Sequence, residues 1–129
     1  NFFSKYKFFF YLSNLILIVL YLYPGSLLGC YLYNNCQYDP QITQDFLVST
    51  NHLYAFSLLS IIGLFTYNNS DKLNFLNTYL VLLSIVLEML HIFIPVRSFE
   101  FSDLFGNLLG VIIALMINFF YQKYENSKN

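Results

Sequence analysis

The stretch Glu88-Met89-Leu90-His91-Ile92-Phe93-Ile94-Pro95-Val96-Arg97, followed after five residues by Asp103-Leu104-Phe105-Gly106-Asn107-Leu108-Leu109-Gly110, places ionisable groups inside otherwise apolar runs. A charged side chain at the middle of a bilayer costs on the order of 2.5 to 3.5 kcal/mol even on lenient insertion scales, so it marks a protein-lined site rather than a lipid-facing surface. We read the stretch as the junction of two membrane helices and expect function there.

The surrounding composition agrees with that reading. Of 129 residues, 57% are hydrophobic, 21% aromatic and only 10% charged, which is more apolar surface than a soluble domain of this size buries. The net charge is -1 and the six Lys and Arg residues form no cluster, which argues against nucleic acid as a partner. No small-residue cleavage site follows the first apolar run, so that run is expected to be a retained helix rather than a secretory signal. Trp is absent, and the twelve Tyr are expected to supply the interfacial belt; Tyr21, Tyr23, Tyr31, Tyr33, Tyr67 and Tyr121 all fall near the ends of apolar runs.

Four apolar segments are expected to be helices: Phe8 to Tyr23, Leu53 to Tyr67, Phe75 to Ile94, and Leu104 to Tyr121. The second is short and must borrow flanking residues between Phe46 and His52. Pro24-Gly25, Asn68-Asn69-Ser70-Asp71 and Pro95 punctuate the boundaries. No repeat or linker divides residues 1–129, so one all-α domain is expected, a four-helix transmembrane bundle. Lys5, Lys7, Lys72, Lys123 and Lys128 fall at the termini or between the second and third segments, which the positive-inside rule makes cytoplasmic. Both termini are then inside, and the polar junction opens outward beside Asp39, Asp45 and Glu100. Cys30 and Cys36 lie in the long outer connection, where either a disulfide or two free thiols fits. Asn68-Asn69-Ser70 matches a glycosylation acceptor, but on the expected cytoplasmic side.

Glu88 and His91 are three apart and share a helix face; Asp103, Asn107, Gly110 and Ala114 make one narrow stripe, polar at its outer end and small further in. The short connection from Pro95 to Ser102 makes these two helices an antiparallel hairpin, with Arg97 as counter-ion for Glu88 or Asp103 or as a clamp on an anionic ligand. Asp103 is also expected to cap its helix. His52 enters the second segment from the same side. Two chemistries suit these residue types: acid-base work by Glu88 and His52 on a headgroup, or ligation of a divalent cation. No H-E-x-x-H helix or Cys-rich knuckle is present, so we expect neither a metal nor another cofactor.

These residues together resemble the VanZ-like membrane proteins: His52 opening the second helix, Glu88, the Pro95-x-Arg97 turn, and Asp103-x-x-x-Asn107-x-x-Gly110. The resemblance runs over about residues 48 to 118; Val48 and Ser49 stand where family members commonly carry Asp-Lys, His91 where Gln is usual, and Val96 where Gly is usual. It implies a small helical protein of the bacterial inner (plasma) membrane, in a family linked to glycopeptide (teicoplanin) resistance. The expected function is an outward-facing pocket that binds or modifies an anionic lipid or glycolipid headgroup. Arg97 would clamp the anion, Glu88 and His52 would move protons, and His91, Asp103 and Asn107 would orient the ligand. Whether a reaction occurs stays open at this point. The alternative is a non-catalytic accessory or assembly subunit, with a homo-oligomer or a larger membrane complex as its setting.

Overall fold

The computed structural model describes residues 2–38, 40–41, 43–45, 47–67, 72–94 and 98–127, without the side chains of residues 2–6. Asp39, Phe46, Asn68-Asn69-Ser70-Asp71, the Pro95-Val96-Arg97 turn, Lys128 and the side chain of Lys5 therefore lie outside what is described. Among the described residues the chain is all-helical. The helices are α1 (Phe2–Leu22), α2 (Leu27–Tyr33), α3 (Thr50–Thr66), α4 (Leu73–Leu90) continued by one 3-10 turn (His91–Phe93), and α5 (Phe101–Ser127).

The four apolar segments correspond to α1, α3, α4 and α5. By length and composition, α4 with its 3-10 turn (21 residues) and α5 (27 residues) can each cross a membrane. Helices α1 and α2 form a third candidate span if the pair, bent by 86°, is counted as one. Helix α3 has 17 residues, about 25 Å at 1.5 Å per residue, against a hydrocarbon core of about 30 Å. Only 33% of the α4 window and 28% of the α5 window are buried, so side chains such as Phe75, Leu82, Met116 and Phe119 form an apolar exterior that hydrocarbon suits better than water.

Helix α3 lies in the middle, touching α1, α4 and α5. Its Phe56, Leu59 and Leu64 join Phe10 and Leu17 of α1, Leu80 and Leu87 of α4, and Val111 and Ala114 of α5 in one core. The small stripe of α5 meets α3. A Cβ on Gly110 would come within 2.6 Å of the Leu53 carbonyl oxygen, and one on Gly106 within 2.6 Å of that of Ser49. Those backbones touch because the side chains are absent. Contacts at both ends set the helix directions. Tyr21, His52, His91 and Asn107 meet at one end, while Phe10 of α1 meets Tyr67, just past α3, with ring centroids 5.7 Å apart. The four long helices thus alternate in direction, which gathers Lys7, Lys72 and Lys123 at the end opposite the polar cluster.

Helix α2 was not foreseen from the sequence. Gly25, at φ +113°, makes the bend after α1 that an L side chain rarely allows. Ser26 then caps α2, its Oγ accepting from the Gly29 N–H at 3.0 Å, and Asn34 ends the helix in the left-handed conformation. Cys30 and Cys36 form a disulfide, and the Ser26 N–H donates to the Cys36 carbonyl at 2.8 Å. Two acidic side chains stand at helix starts, and one of them, Asp103, differs from expectation. Asp45 caps α3 from outside, its Oδ1 accepting from the Thr50 N–H at 3.0 Å. Asp103 sits in the first turn of α5 rather than at its cap, because Phe101 already begins the helix and the Glu100 carbonyl accepts the Leu104 N–H. It still complements the positive end of the helix dipole.

Replacing Gly110 by Val should force α3 and α5 apart and lower stability by about 1–3 kcal/mol, as overpacking does. The check is a lower unfolding midpoint in detergent, with Ile112→Val on the outer face as a control that leaves it unmoved. Peptide mapping without reductant should recover Cys30 and Cys36 in one cross-linked species.

Candidate functional site

The polar cluster starts from the carboxamide of Asn107, which is fully buried on α5. Its Nδ2 donates to the Ser84 carbonyl on α4 at 3.0 Å, so its Oδ1 must be the accepting side. That oxygen takes the Tyr21 hydroxyl of α1 at 2.8 Å and faces Nδ1 of His52, on α3, at 2.9 Å. Because Oδ1 only accepts, His52 carries its proton on Nδ1 and turns Nε2 toward Asp103, whose Oδ1 is 3.8 Å away.

Beside this network, Glu88 and His91 are both fully buried at the end of α4. Glu88 Oε1 accepts from the Glu100 N–H at 3.1 Å, which ties α4 to the start of α5. Its Oε2 has no hydrogen-bond donor. His91 Nε2 lies 2.9 Å from the Tyr21 carbonyl oxygen and must donate to it, which leaves Nδ1 facing Glu88 Oε2 at 3.3 Å. Tyr21 packs its ring edge-on to His52 at 4.7 Å and stacks on His91 at 5.9 Å, and the two imidazoles meet edge-on at 6.5 Å.

Above the cluster opens a polar pocket of about 250 Å³, whose walls include Ser26, Gln41, Asp45, His52, Glu100 and Asp103. Next to it an apolar cleft of about 460 Å³ runs between Leu17, Leu28, Ala55 and Leu58. Ser26, Gln41 and His52 belong to both. The described wall of the polar pocket carries carboxylates, imidazoles and amides but no Lys or Arg. His52, Glu88 and Asp103 each offer one donor atom, all within 4.8 Å of one another, and are the residues that could hold a metal ion.

Five of the six residues singled out from the sequence, His52, Glu88, His91, Asp103 and Asn107, therefore meet at one end of the bundle. The sixth, Arg97, lies outside the described residues. Sequence reasoning missed Tyr21, assigned there to the interfacial belt but only 6% exposed. The signal was present. Phe10, Asn14, Leu17 and Tyr21 follow offsets of four, three and four, and all four are buried. Asn14 is satisfied on that face by the Tyr79 hydroxyl at 2.6 Å. No family model matches the chain, and neither a curated protein nor a solved structure does.

Asn107→Ala removes the shared acceptor of the Tyr21 hydroxyl and the His52 N–H and the donor to the Ser84 carbonyl. It should lower stability by about 3 kcal/mol or more, against about 1 kcal/mol for Tyr21→Phe, which removes one neutral hydrogen bond. Denaturant unfolding of the two variants in the same micelles compares them, and equal losses would contradict the shared-amide network.

Proposed function

We propose that this chain is a VanZ-like integral protein of the bacterial inner membrane whose outward-facing pocket binds the headgroup of an anionic lipid or glycolipid. The observation that carries the reading is the polar pocket opening directly beside an apolar cleft, with Ser26, Gln41 and His52 common to both. An amphipathic ligand needs that pairing: a wet site for its head and a greasy slot for its chain. All four long helices cross the membrane in this reading. The short α3 does so because α1, α4 and α5 flank it, so that its ends lie among protein groups.

Two features support the outward orientation with both termini inside. Lys7, Lys72 and Lys123 collect at the end away from the pocket. The Cys30–Cys36 disulfide sits at the pocket end, and disulfides persist on the oxidising side of an energised membrane. Arg97 directly precedes Ser98, which lines the pocket, and is the residue assigned to the anion. His52 is the group placed to exchange a proton with the bound headgroup, since it is part-exposed in the pocket whereas Glu88 is sealed beneath it.

Detergent-purified protein should retain phosphatidylglycerol over phosphatidylcholine in native mass spectra. Arg97→Ala should weaken that retention by about tenfold or more, the worth of one charge-assisted hydrogen bond. Unchanged retention in an Arg97→Ala, His52→Ala double variant that still melts cooperatively would overturn the assignment.

A further inference from the structure

We propose that His52, Glu88 and Asp103 bind a divalent transition-metal cation of the zinc or manganese type at the floor of the polar pocket. The Ser84 carbonyl sets the orientation of the Asn107 amide, and the amide oxygen takes the His52 Nδ1–H, so His52 Nε2 faces the Asp103 carboxylate at 3.8 Å. The Tyr21 carbonyl takes the His91 Nε2–H in the same way, so His91 Nδ1 faces Glu88 Oε2 at 3.3 Å. Each imidazole thus turns its remaining nitrogen to a carboxylate oxygen, and a mixed set of nitrogen and oxygen atoms at one place is what a borderline divalent cation takes as ligands.

Glu88 Oε2 identifies where the charge goes. It is a fully buried carboxylate oxygen without a hydrogen-bond donor, a need that a bound cation would meet. One donor atom each from His52, Glu88 and Asp103 lies within 4.8 Å of the others. Ligands about 2.0–2.2 Å from one ion sit about 3–4 Å from each other, so side-chain rotations alone would close the set. One imidazole nitrogen with two carboxylate oxygens suits zinc or manganese better than calcium, which prefers an all-oxygen shell. The second shell has the form such sites use: His52 donates its other N–H to a carbonyl-type oxygen that is itself held by hydrogen bonds.

The spacing of the three residues gave no reason to expect a metal, since they come from three different helices and from no known motif. Three protein ligands leave a coordination position open toward the pocket. An ion there would give this acidic wall the positive charge that an anionic headgroup requires, but the cation site itself does not rest on the headgroup reading.

The test uses metal alone as the probe. Tag-free protein in detergent is stripped with chelator, incubated with zinc or manganese, freed of excess ion by gel filtration, and its metal content measured. One equivalent per chain is expected for wild type, with affinity at least about tenfold weaker in Glu88→Gln, Asp103→Asn and His52→Ala. Wild type should also melt higher with metal than with chelator, a shift the three variants lack. Failure of wild type to retain metal would overturn the proposal, and so would retention by all three variants equal to wild type, which would place the ion elsewhere. Should the variants unfold instead, His52→Gln and Glu88→Asp are measured in their place under the same criteria. Phosphatidylglycerol retention assayed with chelator present scores the headgroup reading separately.

Discussion

Asn107 has one amide oxygen and one NH₂ group to satisfy inside a bundle whose exterior is apolar, and these reach Tyr21 on α1, His52 on α3 and Ser84 on α4. Every long helix is therefore tied to one side chain of α5. In hydrocarbon or a dry core, no water replaces a lost partner, so sliding α5 by a turn would break three hydrogen bonds at once. Apolar contacts alone tolerate many registers, and the shared amide selects one. The two glycines beside it, Gly106 and Gly110, reinforce the selection by allowing backbone contact with α3 only where a Cβ is missing.

That constraint explains how chemistry is positioned. With the amide fixed, His52 has a defined tautomer; with the Tyr21 backbone fixed, so has His91. The remaining nitrogens of the two rings then face the carboxylates of Asp103 and Glu88, and the Glu100 N–H satisfies only one oxygen of Glu88. Polar groups are thus fully matched in one half of the cluster and left wanting in the other. Of the two carboxylates, Asp103 borders the pocket and Glu88 lies beneath it.

The long helices were legible in the sequence because hydropathy alone marks them, and so was the alignment of Asp103, Asn107, Gly110 and Ala114, which follows from helical geometry. Glu88 beside His91 was legible for the same reason. Periodicity reports which residues share a face but not what that face meets. Hence Gly110 and Ala114 were recognised as small packing positions while their partner, α3, and the role of Gly106 were not. Tyr21 was misread because a Tyr near a helix end has the same local signature whether it faces lipid or a buried amide 86 residues away. Helix α2 escaped notice because seven residues between a glycine bend and an Asn cap carry little periodic signal. Helix order and the expected sidedness brought His52 to the same end as Glu88 and Asp103, but the approach of their donor atoms to within 4.8 Å is a property of the assembled bundle.

Cys36 has two duties at the pocket end: it closes the covalent ring with Cys30, and it contributes to the wall of the polar pocket. The helical body is joined by packing and hydrogen bonds, which form wherever the chain enters a bilayer. The rim is completed by sulfur oxidation, which the reducing cytosol opposes. In the orientation proposed above, the rim therefore closes later than the body, once the loop that carries both sulfurs has reached the oxidising side.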